Sequence, residues 1–275
     1  MSIWINGQPA TQLDASDRGL SYGDGLFRTL RLLDGAPLAW RWHWARLQHD
    51  CAALRLPCPE AELLLAELAA VSAEWPDAVA KLTLTRGVGP RGYAPPAAPQ
   101  PTRIVQAGPR VAPPAERYNQ GVAVHACALR LGLQPALAGV KHLNRLENVL
   151  ARAEWQGDEY AEGLLCDSEG WVIEGTMSNL WIRRGRELLT PQLDRCGVSG
   201  AARAWVFDTA PKLGYQVREW RLRPADVLAA DEAMLCNSLI GFWPIARYQQ
   251  RRWSVFTASE ALNSAWLAPE SAISG

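Results

Sequence analysis

Apolar residues recur at helical spacing through Leu143, Leu146, Val149, Leu150 and Ala153, which predicts a helix anchored in a core by those positions. Lys141 falls at its mouth, just after the breaker-rich run 132–139. A second stripe, Trp40, Trp44, Leu47, Cys51 and Leu54, marks a helix over 42–55. A further helix covers 60–74, with Pro57 and Pro59 breaking between the two. Strand patterns occupy 25–33, 37–40, 79–85 and 102–106, with Asp34-Gly35 as a hairpin turn. Residues 1–7 read as a short strand running into an Asn-Gly turn. Farther on, 121–128 alternates as a strand does, and strands are expected at 164–166, 171–174, 180–182, 188–189, 215–220, 233–236 and 242–247. Helices are expected over 200–213, 224–229 and 258–266. Strand pairs joined by tight turns predict an α/β chain with mixed sheets, not a doubly wound parallel sheet. The Pro-rich stretch makes 109–118 a linker between a small N-terminal α/β domain, 1–108, and a larger C-terminal α/β domain, 119–275, carrying Lys141.

Composition narrows the function. With 28 basic and 28 acidic residues the net charge is zero, so no global field favours nucleic acid or an anionic membrane. No apolar run approaches the roughly 20 residues that span a bilayer. The first residues lack the basic and apolar regions of a signal peptide, so the cytoplasm is the expected compartment. Six cysteines show no paired spacing and read as small packing residues in a reducing compartment. The four histidines form no zinc motif, and no metal is expected. The 13 tryptophans read as core or dimer-interface packing.

Four segments carry candidate chemistry. Most lysines are solvated surface charges, but a lysine fixed beside a packed element loses its proton more easily and attacks carbonyls. Glu174 ends the apolar strand 171–173 and is either a solvent-facing edge carboxylate or one facing a buried ligand nitrogen. The run Val198-Ser199-Gly200-Ala201-Ala202-Arg203 opens a helix; a cap at Ser199 or Gly200 leaves the Ala201 and Ala202 amides for an anion. Gly87-Val88-Gly89-Pro90-Arg91-Gly92 fits a dinucleotide-binding pattern, but Pro90, Pro95, Pro96 and Pro99 forbid the helix that pattern needs. That loop turns sharply instead and presents Arg91 and Tyr93. A nucleic-acid surface built on Lys141, Arg145 and Arg152 is opposed by Glu147 and Glu154 among them.

These segments stand in a recognisable order: Tyr22-Gly23-Asp24-Gly25-Leu26-Phe27, His43-Trp44-Ala45-Arg46-Leu47, the loop from Thr85 to Tyr93, Lys141, and Val172-Ile173-Glu174-Gly175-Thr176-Met177-Ser178-Asn179-Leu180. Over nearly the whole chain this resembles the fold-type IV pyridoxal-phosphate enzymes, which include branched-chain and D-amino-acid aminotransferases and 4-amino-4-deoxychorismate lyases. The string Lys141-His142-Leu143-Asn144-Arg145-Leu146-Glu147 is most similar to the lyase branch. The resemblance implies two α/β domains with pyridoxal 5′-phosphate between them, and a homodimer with the cofactor near its interface. It implies Lys141 as cofactor lysine and base, and Glu174 as partner of the pyridine nitrogen. It places Arg46, the Ala201 and Ala202 amides and the Asn237-Ser238 turn on the phosphate, where relatives usually offer a threonine. Arg91 and Tyr93 are placed on a substrate carboxylate. Arg103 joins Arg91 as a candidate for the substrate's two carboxylates by charge complementarity, with a structural ion pair as the alternative its strand position offers.

Phe27 departs from the aminotransferase members, which usually carry tyrosine two residues after Gly-Asp-Gly. Phenylalanine donates no hydrogen bond, which disfavours a standard transaminase. Thr29, two residues along the same strand face, is then the nearest hydroxyl and a candidate proton donor to a departing enolpyruvate. The expected function is a lyase of folate biosynthesis that converts aminodeoxychorismate to 4-aminobenzoate and pyruvate. A D-amino-acid or branched-chain aminotransferase and a cofactor-binding protein without turnover are the alternatives.

Overall fold

Asn6 and Gly7, at φ 51° and 80°, turn strand β1 (Ser2–Ile5) back onto β2 (Gln8–Pro9), as left-handed Asn-Gly pairs do. The computed structural model describes residues 1–266. Helix α1 (Arg18–Tyr22) follows, capped by the Asp17 side chain, and then strands β3 (Gly25–Leu33) and β4 (Ala36–Pro37). Helices α2 (Trp40–Leu54) and α3 (Ala61–Val71) precede strands β5 (Asp77–Thr85) and β6 (Thr102–Pro109). The expected strand over 37–40 is cut short, because Ala39 takes a left-handed conformation and α2 starts at Trp40.

These strands form one antiparallel sheet in the order β2-β1-β6-β5-β3-β4. Strand alternation sends Leu26, Leu30 and Leu32 of β3, and Ala80, Leu82 and Leu84 of β5, to one face. Leu47 and Cys51 of α2 and Leu64 and Leu68 of α3 cover that face. Each buried leucine stabilises the fold by about 1.5–3 kcal/mol, which is what holds the two helices on the sheet. Arg28 interrupts the apolar row on the covered face at 2% exposure, so it requires a partner. Phe27, Thr29, Lys81 and Thr83 take the opposite parity and none is fully buried.

The remaining elements are α4 (Glu116–Asn119), β7 (Val122–Leu131), α5 (Leu146–Arg152), β8 (Glu162–Asp167), β9 (Val172–Gly175), β10 (Asn179–Arg184) and β11 (Glu187–Pro191). After them come α6 (Ala201–Thr209), β12 (Gln216–Trp220), α7 (Pro224–Leu228), β13 (Glu232–Asn237), β14 (Gly241–Tyr248), β15 (Arg251–Arg252) and α8 (Thr257–Trp266). They build a nine-stranded sheet in the order β12-β11-β10-β13-β14-β7-β8-β9, with β15 on β14. The pairs β11–β12, β14–β7 and β7–β8 are parallel and the others antiparallel, so this is the mixed sheet the turn pattern predicts. Leu164, Leu180, Ile182, Leu235, Trp243 and Ile245 centre its core. The helix expected over 200–213 gives way to a 3-10 turn at Ala210–Leu213, where Pro211 removes an amide donor. No helix among the described residues is long and apolar enough to cross a membrane.

Two expectations are corrected around the lysine. Helix α5 has only seven residues, and Leu146, Val149 and Leu150 are exposed at 68%, 60% and 54%. Ala151 alone of that helix is buried, so the apolar stripe is not a core anchor. Helical spacing shows that side chains share a face and is silent on what covers it. The described residues divide into two compact units, Met1–Val111 with Val140–Asn144, and Ala112–Gly139 with the chain from Arg145 to Trp266. Lys141 therefore belongs with the first unit, not with the C-terminal one.

Candidate active site

Strand-like pairing positions Lys141. Its carbonyl accepts the Phe27 amide at 3.0 Å, Leu143 donates to the Gly25 carbonyl at 3.0 Å, and Leu26 bridges to His142. The Lys141 amide donates to Asp50 Oδ2 at 3.0 Å. With its backbone held through both polar groups, Lys141 lays Nζ 4.6 Å from the centroid of the Phe27 ring. Lys81 Nζ lies 5.0 Å from the same centroid.

Asp50 is the hub of this region and is fully buried. Arg28 Nη2 donates to its Oδ2, which answers the question posed by an arginine on the covered face of β3. Arg46 Nη2 lies 3.5 Å and His49 Nδ1 3.2 Å from Oδ1. Burial lowers the Arg28 pKa to about 10, with Asp50 opposing the shift and Arg46 adding to it. His43, three residues before Arg46, is buried, and neither ring nitrogen has a hydrogen-bond partner among the described residues. Burial first, then Arg28 and Lys141, pushes its pKa down to about 3, so the imidazole is neutral. Arg46 is only 18% exposed, which removes the solvated-surface reading of that residue. Arg28, His43 and Asp50 lie outside the residues expected from sequence. The signals were an arginine at inward parity on β3 and an aspartate three residues after Leu47 on the inward side of α2.

Asp24 of the Gly-Asp-Gly turn collects two arginines, Arg18 Nε at 2.9 Å and Arg86 Nε at 2.8 Å. Burial pulls its pKa up, but the hydrogen bonds from Arg86 and Arg18 outweigh it and hold the carboxyl below the usual range. Arg18 also donates to the carbonyls of Gly92 at 2.9 Å and Tyr93 at 3.1 Å, and the Tyr22 hydroxyl accepts the Gly92 amide at 3.0 Å. This ties down the loop that bears Arg91 and Tyr93, both exposed, with the Tyr93 ring 5.5 Å from that of Tyr22. No helix starts in the glycine loop, as its prolines require. Thr29 is half-buried and lies opposite Lys81 in register. Arg103 is a correction. Its Nε and Nη2 bind Glu67 Oε1 at 3.0 and 2.7 Å, and the buried Glu67 needs that counter-charge. Arg103 is thus a structural ion pair, not a substrate contact.

In the second unit Glu174 lies on β9 at 3% exposure, with Oε2 accepting the Val198 amide at 2.7 Å. The solvent-facing reading of this carboxylate is excluded. Gly197, at φ 85°, makes the approach possible: a Cβ there would fall 2.5 Å from Ile173 Cγ2. Glu162, buried on β8, holds the turn that follows Glu174. Its Oε1 accepts the Thr176 amide at 3.0 Å, and its Oε2 accepts the Met177 amide at 3.1 Å and the Ser178 hydroxyl at 2.7 Å. Helix α6 starts after Gly200 with no side-chain cap, and its first residues are the buried Ala201 and Ala202. First-turn amides have no intrahelical acceptor, so this end suits an anion. Asn179 steadies it, accepting the Gly200 amide at 3.1 Å and donating to the Val198 carbonyl at 2.7 Å. Asn237 builds its own turn, Oδ1 accepting the amides of Leu239 and Ile240 at 2.9 and 3.0 Å, with Ser238 half-buried within it.

The model of the amino-transferase class IV family matches residues 25–248. Over 244 residues, 89% of this chain and 90% of the relative, the sequence is 35% identical to aminodeoxychorismate lyase of Vibrio harveyi. It is 27% identical over 253 residues, 89% of this chain and 87% of the relative, to D-alanine aminotransferase of Bacillus licheniformis. The crystal structure of 4-amino-4-deoxychorismate lyase from Pseudomonas aeruginosa superposes with a TM-score of 0.91 at 44% identity, covering 96% of this chain and 97% of that one.

Proposed function

The chain belongs to the amino-transferase class IV family, and on that premise we propose that it is a pyridoxal-phosphate-dependent lyase converting 4-amino-4-deoxychorismate to 4-aminobenzoate and pyruvate. One observation within the site carries the choice of lyase over aminotransferase. The Lys141 amine lies over the ring of Phe27, where a transaminase of this family usually has a tyrosine hydroxyl.

The residues present suit the cofactor. They offer an amine on a fixed backbone, a buried carboxylate that accepts the Val198 amide, and a helix start without a side-chain cap. When bound, pyridoxal phosphate supplies a carbonyl and an electron-withdrawing ring. Lys141 would hold it covalently and, once released by the substrate's amine, take the proton from the ring carbon next to nitrogen. Glu174 would keep a proton on the pyridine nitrogen, a task that suits a buried, amide-held carboxylate. Arg46, the Ala201 and Ala202 amides and the Ser238 hydroxyl would meet the phosphate. Thr29 would give a proton to the departing enolpyruvate, and Arg91 with Tyr93 would hold a substrate carboxylate.

The same reading carries a cytoplasmic homodimer. Exposed Leu146, Val149 and Leu150 on α5, with exposed Met177, give the second unit an apolar surface of the kind a second copy covers. Catalysis is tested by product release. The native protein supplied with aminodeoxychorismate and no 2-oxo acid should release pyruvate and 4-aminobenzoate in equal amounts over many turnovers. A stall after one turnover, relieved by 2-oxoglutarate, would establish an aminotransferase instead.

A further inference from the structure

Each glycine of the loop Gly87-Val88-Gly89-Pro90-Arg91-Gly92 meets Arg18. The Arg18 amide donates to the Gly87 carbonyl at 2.9 Å. At Gly89 the chain passes so near the arginine stem that a Cβ would fall 2.8 Å from Arg18 Cδ. The Gly92 carbonyl accepts Nη1 at 2.9 Å, and the Tyr93 carbonyl accepts Nη2 at 3.1 Å. Gly92 has φ 100°, a backbone that strains any other residue even though no heavy atom would lie within 4 Å of an added Cβ. Its amide donates to the Tyr22 hydroxyl, so the chain is held on both sides of that residue. The Arg18 guanidinium lies 4.8 Å from the centroid of the Tyr22 ring.

Arg18 is itself fixed from behind. Its Nε donates to Asp24 at 2.9 Å, and Asp24 also accepts Arg86 Nε at 2.8 Å. Arg86 in turn donates to the carbonyls of Leu54 and Arg55 at 2.8 and 2.9 Å, where α2 ends. The Arg18 side chain is 4% exposed and uses all three nitrogens within the protein. Burial of a guanidinium is tolerated when its donors are met in this way. Arg91 stands exposed between the fixed ends of the loop, with no carboxylate partner among the described residues.

We propose that Arg18 is a positioning residue for the reaction, holding the glycine loop in shape before the substrate arrives so that Arg91 meets a substrate carboxylate without first ordering the loop; this rests on the lyase reading above. Ordering a loop on binding subtracts from affinity, so a loop already shaped binds more tightly with the same contacts. The glycine spacing that imitates a dinucleotide motif is assigned to this clasp. A lysine cannot replace the arginine, because a single ammonium does not span acceptors spread around a planar fork. Arg18 acts on substrate binding through the loop and leaves the proton transfers at Lys141 alone.

Arg18→Met removes the three donors and leaves Asp24 its pair with Arg86. Trypsin cuts after Arg91 only when the loop opens, so that cut, mapped by mass spectrometry on the cofactor-loaded protein without substrate, reads loop order. Arg18→Met and Arg18→Lys should both speed it about tenfold or more, while the cut after exposed Arg186 in the second unit keeps its rate. In turnover both variants should raise KM for aminodeoxychorismate about tenfold and change kcat far less. Gly92→Ala, which strains the loop with Arg18 intact, should raise KM in the same way. An unchanged KM with an unchanged cut after Arg91, or equal acceleration of both cuts, overturns the assignment of Arg18. Cleavage needs no substrate, so the two readings fail separately. Absence of 4-aminobenzoate from the native protein sinks the lyase reading while the cut still judges the clasp; product release with an indifferent Arg18→Met sinks the Arg18 assignment alone.

Discussion

At His43 the imidazole is buried without a hydrogen bond among the described residues and is neutral, which couples stability to pH. Its pKa falls from 6.5 to about 3 on folding, so below 6.5 the unfolded chain takes up a proton that the folded one refuses. That contribution to stability is complete above pH 6.5 and is lost as pH falls toward 3. Denaturant midpoints for the native protein should therefore decline between pH 7 and 5 more steeply than those of His43→Gln; equal slopes would mean that the folded imidazole carries charge. Glu174 makes the opposite kind of demand, since the role proposed for it is that of an anion in a buried position. Glu174→Gln should keep the fold and bind cofactor, yet lose activity by about a hundredfold or more, because an amide cannot hold the ring nitrogen's proton. Near-normal turnover would remove that role. Lys141 and Glu174 stand out in the sequence because each sits in a motif whose residue types point to one chemistry, and the structure fixes the backbone of the first and buries the second. His43 and Asp50 do not, because their importance comes from burial beside Arg28, and burial of a polar side chain leaves no local pattern.

Helix α2 does more than cover the sheet. Through Asp50 it fastens both Arg28 of β3 and the amide of Lys141, so one carboxylate joins three stretches of chain that are far apart in sequence. Asp50→Asn should destabilise the protein by about 3–5 kcal/mol, because it leaves Arg28 buried without its counter-charge. Pairing it with Arg28→Met should recover much of that loss; urea midpoints for the two single variants and the double variant decide it, and strictly additive losses would deny the coupling. The elements themselves were largely legible. The strand at 25–33, the α2 stripe and the mixed sheet follow from period and turn chemistry. Helix α5 was misjudged because an apolar stripe looks the same whether a core or a second molecule covers it. The support of Lys141 was misjudged with it, since hydrogen bonding to β3 comes from a strand more than a hundred residues away.

On the scale of the whole chain, burial sets the character of most thiols. Burial is the main cause that raises Cys127, Cys196 and Cys236 to about 12, which fits their reading as packing residues. The division into two units shows what sequence alone hides. A Pro-rich stretch marks where the chain first leaves the first unit, but nothing in composition marks where it returns at Val140–Asn144. That return has a consequence for biosynthesis. Until residue 144 has left the ribosome, the backbone of β3 at Gly25 and Phe27 lacks the partners that Lys141 and Leu143 later supply, and Asp50 lacks its amide donor. A nascent first unit therefore waits with an unfilled edge while about thirty further residues are made, a few seconds at ordinary elongation rates. A fragment ending at Val111 should accordingly self-associate when expressed alone, and adding a peptide spanning 139–145 should reduce that association.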